Sequence, residues 1–146
     1  MLEKNYNAET IAEYVIHKCA QDDCPISNLQ LQNILYCIQR YFLDLDIVLF
    51  LDDFEAWKFG PVLPDIFYKY CMFGARPIKP IKQIDSISLD KDYEDIINSI
   101  IERKRILKPW EIGSDIRRDN GAWSVIYNNG NGCHKVIPKK LIKDIG

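Results

Sequence analysis

Residues 31–64, LQNILYCIQRYFLDLDIVLFLDDFEAWKFGPVLP, change period part-way along. Leu31, Ile34, Leu35, Ile38, Phe42 and Leu45 recur at steps of three and four, which predicts a helix with one apolar face. Ser27 and Gln30, just upstream, fit a capping box, and Ile26 with Leu31 fits the hydrophobic staple that fixes such a start. From Leu49 the sequence is aromatic and aliphatic, bounded by Asp52-Asp53 and Gly60-Pro61. Phe54 to Phe59 reads as a short strand. Alternation would place Glu55, Trp57 and Phe59 on one face and Phe54, Ala56 and Lys58 on the other. Aromatic rings on both faces imply cover on both sides. Gly60-Pro61 is a break, and Pro61 or Pro64 can open a helix that runs to Phe73, with Gly74 at its C′ position.

Working outward, Asn7 can cap a first helix whose Glu9 favours the positive end of the helix dipole. Tyr6 and Ile11 fit a staple, and Ile11, Tyr14, Val15 and Cys19 form its stripe, to about Asp22. Ala75 to Ile84 contains Pro77 and Pro80 and reads as extended or loop. Lys91 to Leu107 reads as a helix with Ile96, Ile97, Ile100 and Ile101 inward. Pro109 can open a short helix through Ile116. Trp123, Val125 and Tyr127 alternate ahead of Asn128-Asn129-Gly130-Asn131-Gly132, which suggests a hairpin reaching Ile137. Pro138 then starts a last helix carrying Leu141, Ile142 and Ile145. The expectation is a mainly α (α+β) fold. It is a compact helical domain with a short strand or small β-hairpin packed on the helices, one domain over residues 1–146.

Composition narrows the function classes. The 146 residues are 47% hydrophobic and 12% aromatic, ordinary for a globular core that needs no staples. A net charge of −2 argues against a dedicated nucleic-acid binder, which rests on excess Lys and Arg. The charge is uneven. Residues 1–73 hold 11 acidic and 5 basic side chains, a balance of −6, while residues 74–146 hold 10 and 14, a balance of +4. Such asymmetry suits a polar protein partner, or it is scatter over two solvated faces. The five cysteines are odd in number and widely spaced, and Cys19, Cys37 and Cys71 sit among apolar residues as buried free thiols do. With a polar start from Met1 to Asn7 and no apolar run of about 18 residues, a reducing cytoplasmic setting away from membrane is expected.

Catalytic and metal chemistry find little support. His17 and Cys19 are two apart on a helix and point in different directions, and His134 with Cys133 is an adjacent pair in a turn-like tail. No nucleophile elbow, phosphate-binding glycine loop or paired-histidine zinc helix is present. The acidic pairs Asp22-Asp23, Asp44/Asp46 and Asp52-Asp53 fall at element ends, where solvated acids are common. No enzyme activity, metal or cofactor is expected.

Two blocks carry a more specific signal. Leu31, Gln32, Leu35, Tyr36 and Gln39 fit L-Q-x-x-L-Y-x-x-Q. Glu55, Ala56, Trp57, Gly60, Pro61, Val62 and Pro64 fit E-A-W-x-x-G-P-V-x-P, with Lys58 and Phe59 also of the usual type. In this order and separation they resemble the SocA-like antitoxin domain, also called Panacea, over most of residues 7–76. After Gly74 the likeness fades: Trp123 and the helix after Pro138 fit the family's ending, but Arg117 or Arg118 stands where relatives carry a histidine. The resemblance implies an antitoxin, of bacterial or phage-associated kind, that neutralises a toxin encoded beside it by protein contact. It implies no cofactor.

The motif residues divide by chemistry. Leu31, Leu35 and Tyr36 read first as core, and Gly60, Pro61 and Pro64 as setters of a strand-to-helix turn. Trp57 suits a core or an interface. Gln32, Gln39, Glu55 and Lys58 are polar groups in apolar segments, and either tie helix to strand or face a partner. Self-association is a further open partner. The runner-up reading is a winged-helix-like nucleic-acid regulator, with residues 123–137 as the wing and Lys135, Lys139, Lys140 and Lys143 on phosphates.

Overall fold

The computed structural model describes residues 5–80 and 87–146; residues 1–4 of the polar start and 81–84 of the expected extended segment lie outside the described residues. Everything is arranged around the second helix. Ser27 Oγ accepts from Gln30 N–H at 3.3 Å and Gln30 Oε1 accepts from Ser27 N–H at 2.9 Å. The capping box thus starts α2 (Asn28–Asp44) where the sequence placed it. Leu31, Ile34, Leu35, Ile38 and Phe42 are fully enclosed. Leu45, expected on that stripe, sits past the helix end and is exposed.

The first helix, α1 (Ala8–Gln21), α4 (Lys91–Lys104), α5 (Pro109–Ile116) and α7 (Lys139–Ile145) all pack on α2. Tyr93 of α4 meets Phe42 edge-on at 5.0 Å between ring centres, and Tyr14 of α1 donates to Asn98 of α4 at 2.6 Å. The start of α1 corrects the sequence reading. Asn7 occupies the cap position but its side chain makes no capping bond; Asp52, from the segment that follows α2 in sequence, accepts from Ala8 N–H at 3.1 Å. An acid at that end still suits the helix dipole. Cys19 and Cys37 are buried, whereas Cys71 is exposed, contrary to expectation.

The strand is a hairpin. Glu55–Trp57 (β1) turns through Lys58-Phe59 into Gly60–Val62 (β2), with Trp57 opposite Gly60 and Glu55 opposite Val62. Gly60, read as a break, begins the return strand: its φ of +136° is a glycine conformation. Pro61 lies where the missing N–H is tolerated, on the outer strand of a two-stranded sheet. Pro64 opens α3 (Pro64–Lys69); the expected run to Phe73 tightens after Tyr70 into a 3-10 turn, Cys71–Phe73, closed by Gly74 at φ +57°.

The tail hairpin is not formed. Ala122–Tyr127 is a helix, α6. Trp123 and Tyr127, one turn apart, stack at 4.6 Å, whereas a strand would hold them roughly 13 Å apart on the same face. The asparagines do take positive φ, Asn128 at 47° and Asn129 at 56°, but they end a helix instead of joining two strands. Residues 134–137 run beside β1: Ala56 N–H donates to Lys135 O at 2.8 Å and Ile137 N–H to Phe54 O at 2.8 Å. The fold is mainly helical with a small antiparallel hairpin, as expected.

Buried glutamines fasten the irregular segments to α2. Gln39 Nε2 donates to Phe50 O at 2.7 Å, and its Oε1 accepts from Leu49 N–H at 3.1 Å. Gln32 Oε1 accepts from Leu63 N–H at 2.9 Å, and its Nε2 donates to Asn28 Oδ1 at 3.1 Å. A Gln39→Leu variant strands one buried donor and one buried acceptor, at about 1–3 kcal/mol each. Urea unfolding should show a loss of about 2–6 kcal/mol; a loss below ~1 kcal/mol would mean the two groups find other partners.

Candidate functional site

The hairpin and α3 gather the residues of the second block. Trp57, half-buried, stacks on the His134 ring at 4.5 Å and 17°, and meets Phe67 at 5.3 Å and Tyr68 at 5.9 Å. Its indole N–H donates to Glu55 Oε1 at 2.9 Å, so Glu55 and Trp57 do share a face. Its carbonyl accepts from Trp123 Nε1 at 2.8 Å, which ties the hairpin to α6. Tyr68 remains 59% exposed, and this bank of rings is open to solvent on one side.

The hairpin tip lies beyond the bank. Lys58 and Phe59 form the turn, Phe59 is 65% exposed, and the Lys58 ammonium sits 5.6 Å from its ring centre. Phe59 therefore does not continue the Glu55–Trp57 face, as unbroken alternation would have had it. Arg117, at the end of α5, donates to Phe59 O at 2.7 Å and holds the tip. Gly113, one turn back, leaves room for this: a Cβ there would stand 3.1 Å from the Arg117 guanidinium carbon. Arg118 turns elsewhere, to the carbonyls of Ile145 and Gly146. Of the two arginines standing near the family's histidine, Arg117 is the one that reaches the hairpin.

The first block lies beneath, out of reach of solvent. Gln32, Gln39 and Tyr36 are all fully buried. Gly60 and Pro61 are buried in β2 and Pro64 is half-buried at the start of α3. Gln32, Tyr36, Gln39, Gly60, Pro61 and Pro64 thus form an inner set that shapes the hairpin, and Glu55, Trp57 and Lys58 an outer set that reaches solvent. Sequence reading missed Phe67, Tyr68, His134 and Arg117 as neighbours of this site. Their contacts with the hairpin join distant segments, and neither period nor spacing carries such a signal.

Tyr36 is peculiar. Its ring packs edge-on against Phe54 at 5.3 Å, yet its hydroxyl has no hydrogen-bond partner among the described residues. Burial pushes its pKa up to about 12. Among the described residues no group of three or more His, Cys, Asp or Glu is gathered to hold a metal, and no helix is long and apolar enough to cross a membrane. Two of the lysines assigned to phosphate in the regulator reading are engaged within the fold: Lys139 bonds Leu51 O and pairs with Asp53, and Lys143 pairs with Asp46.

Over 155 aligned positions the protein is 30% identical to the antitoxin SocA of Caulobacter vibrioides (strain NA1000 / CB15N), a match spanning 97% of its own length and 82% of that relative. The chain belongs to the SocA antitoxin family. No family model and no solved structure matches it. In this SocA-family protein both sequence blocks sit on α2 and the hairpin it supports, where one set of residues is inside and the other outside.

A Tyr36→Phe variant removes a buried hydroxyl that gains no bond, so at neutral pH it should melt at the same temperature as the wild type or higher. The folded state holds the Tyr36 proton up to about pH 12, from an ordinary value of 10.0. The unfolded state releases it first, so the wild type should lose stability as pH rises between those values. The share due to Tyr36 is roughly 3 kcal/mol. Alkaline unfolding curves of the variant should lack that share; parallel curves would show that the hydroxyl is not buried in solution.

Proposed function

We propose that this protein is an antitoxin that neutralises a toxic protein encoded beside it by direct contact. Its contact surface is the Lys58-Phe59 tip with the aromatic bank of Trp57, Phe67 and Tyr68. The observation that carries the reading is the likeness to antitoxin SocA along nearly the whole sequence. The geometry supports it. Aromatic side chains half-sunk in a rigid frame, with a polar rim, are the material of interface hot spots. Here the frame is α2 and its glutamines, Gly60, Pro61 and Pro64 fix the turn, and Glu55 steadies the indole. The protein acts in the cytoplasm as a binding module, with no catalytic residue and no cofactor. Nucleic acid is disfavoured as the target, because the segment read as a wing begins as a helix and Lys139 and Lys143 are already paired with acids.

The test is co-expression with the product of the adjacent gene, followed by retrieval of the complex. Lys58→Glu and Phe59→Ala alter side chains that meet solvent, so circular dichroism and melting temperature should not change. Loss of a hot spot costs 2 kcal/mol or more, which weakens binding about thirtyfold. Normal binding by both variants would move the contact off the hairpin tip. Failure of the wild type to retain the neighbouring protein would defeat the antitoxin reading itself.

A further inference from the structure

Two of the five cysteines, Cys19 and Cys24, lie close together at the end of α1. The helix closes with Asp23 N–H donating to Ala20 O at 3.1 Å and Cys24 N–H to Cys19 O at 2.8 Å, with Asp23 at φ +57°. This is the Schellman pattern, which frequently brings the side chains three positions before the cap and two after it into contact; the residues at those positions are Cys19 and Cys24. The 2.8 Å hydrogen bond and standard bond lengths keep the two Cα atoms within about 6.7 Å. A disulfide spans roughly 4.4–6.8 Å. The two thiols also differ in access: Cys19 is fully buried and Cys24 half-buried. Arg105, which pairs with Asp22 at 2.8 Å, brings its positive charge close to the Cys19 sulfur.

We propose that Cys19 and Cys24 form a thiol–disulfide exchange site whose substrate is a low-molecular-weight disulfide such as oxidised glutathione. Cys24 reacts first because solvent reaches it. Its thiolate attacks one sulfur of the small disulfide, that S–S bond breaks, and the other half leaves as a thiolate that takes up the Cys24 proton. A mixed disulfide remains on Cys24. Cys19 then attacks the Cys24 sulfur, the mixed disulfide breaks, and the second small thiol leaves with the Cys19 proton. The protein loses two protons and two electrons, and the small disulfide becomes two thiols. Burial pushes the Cys19 thiol up, while the Arg105 guanidinium works against that rise and favours the thiolate needed for the second step.

The experiment uses the full-length protein with Cys71→Ser and Cys133→Ser, which removes the two exposed thiols. It is incubated with oxidised glutathione, quenched with acid and weighed intact. The expected product is lighter by two hydrogen atoms, with two glutathione thiols released per molecule and Cys37 still open to alkylation after unfolding. Adding Cys24→Ser should abolish the product. A protein that stops at the Cys24 mixed disulfide, or one whose mass is unchanged under excess oxidised glutathione, would overturn the proposal.

Discussion

The amide of Gln39 bonds one backbone N–H and one backbone carbonyl of the segment that follows α2, as a neighbouring strand would. Gln32 does the same for the N–H of Leu63, where the hairpin hands over to α3. Strands of three residues cannot support themselves in water, since even a longer isolated hairpin is marginal. Side-chain amides on a stiff helix supply the missing partners in a dry interior, where unpaired groups cost most. The positions of β1, β2 and α3, and hence of every ring at the hairpin, follow from this fastening.

The uneven charge of the sequence has a related, internal explanation. Acids of the first half meet bases of the second across the fold: Asp22 with Arg105, Asp46 with Lys143, Asp53 with Lys139. Exposed pairs of this kind contribute only about 0–1 kcal/mol each. The asymmetry that suggests a charged partner is thus partly neutralised within the molecule.

Helices were legible where their determinants are local. The Ser27–Gln30 box, the stripe of α2 and the prolines opening α3, α5 and α7 all act within a turn or two, and each lies where the sequence put it. The hairpin was half legible: strand composition marked Phe54 to Phe59, of which Glu55 to Trp57 is strand, but the return strand hides behind Gly60-Pro61, a pair that normally signals a break. The tail misled because Trp123, Val125 and Tyr127 fit two periods, and tertiary contact decided between them, through the Trp123 bond to Trp57 O and the stack on Tyr127. The candidate site was legible through its two blocks. Its aromatic neighbours were not, because Phe67, Tyr68 and His134 come to Trp57 only once α3 and the tail have docked.

The turn at Lys58-Phe59 asks nothing of its two side chains. Neither residue has a positive φ, so the backbone does not call for glycine at either, and Arg117 grips the carbonyl of Phe59, which every residue supplies. The constraints sit one step away, on Gly60 and Gly113. Mutational drift can therefore explore the tip one residue at a time while the protein stays above its stability threshold. Such a protein can change its surface chemistry at that point over generations without having to relearn how to fold.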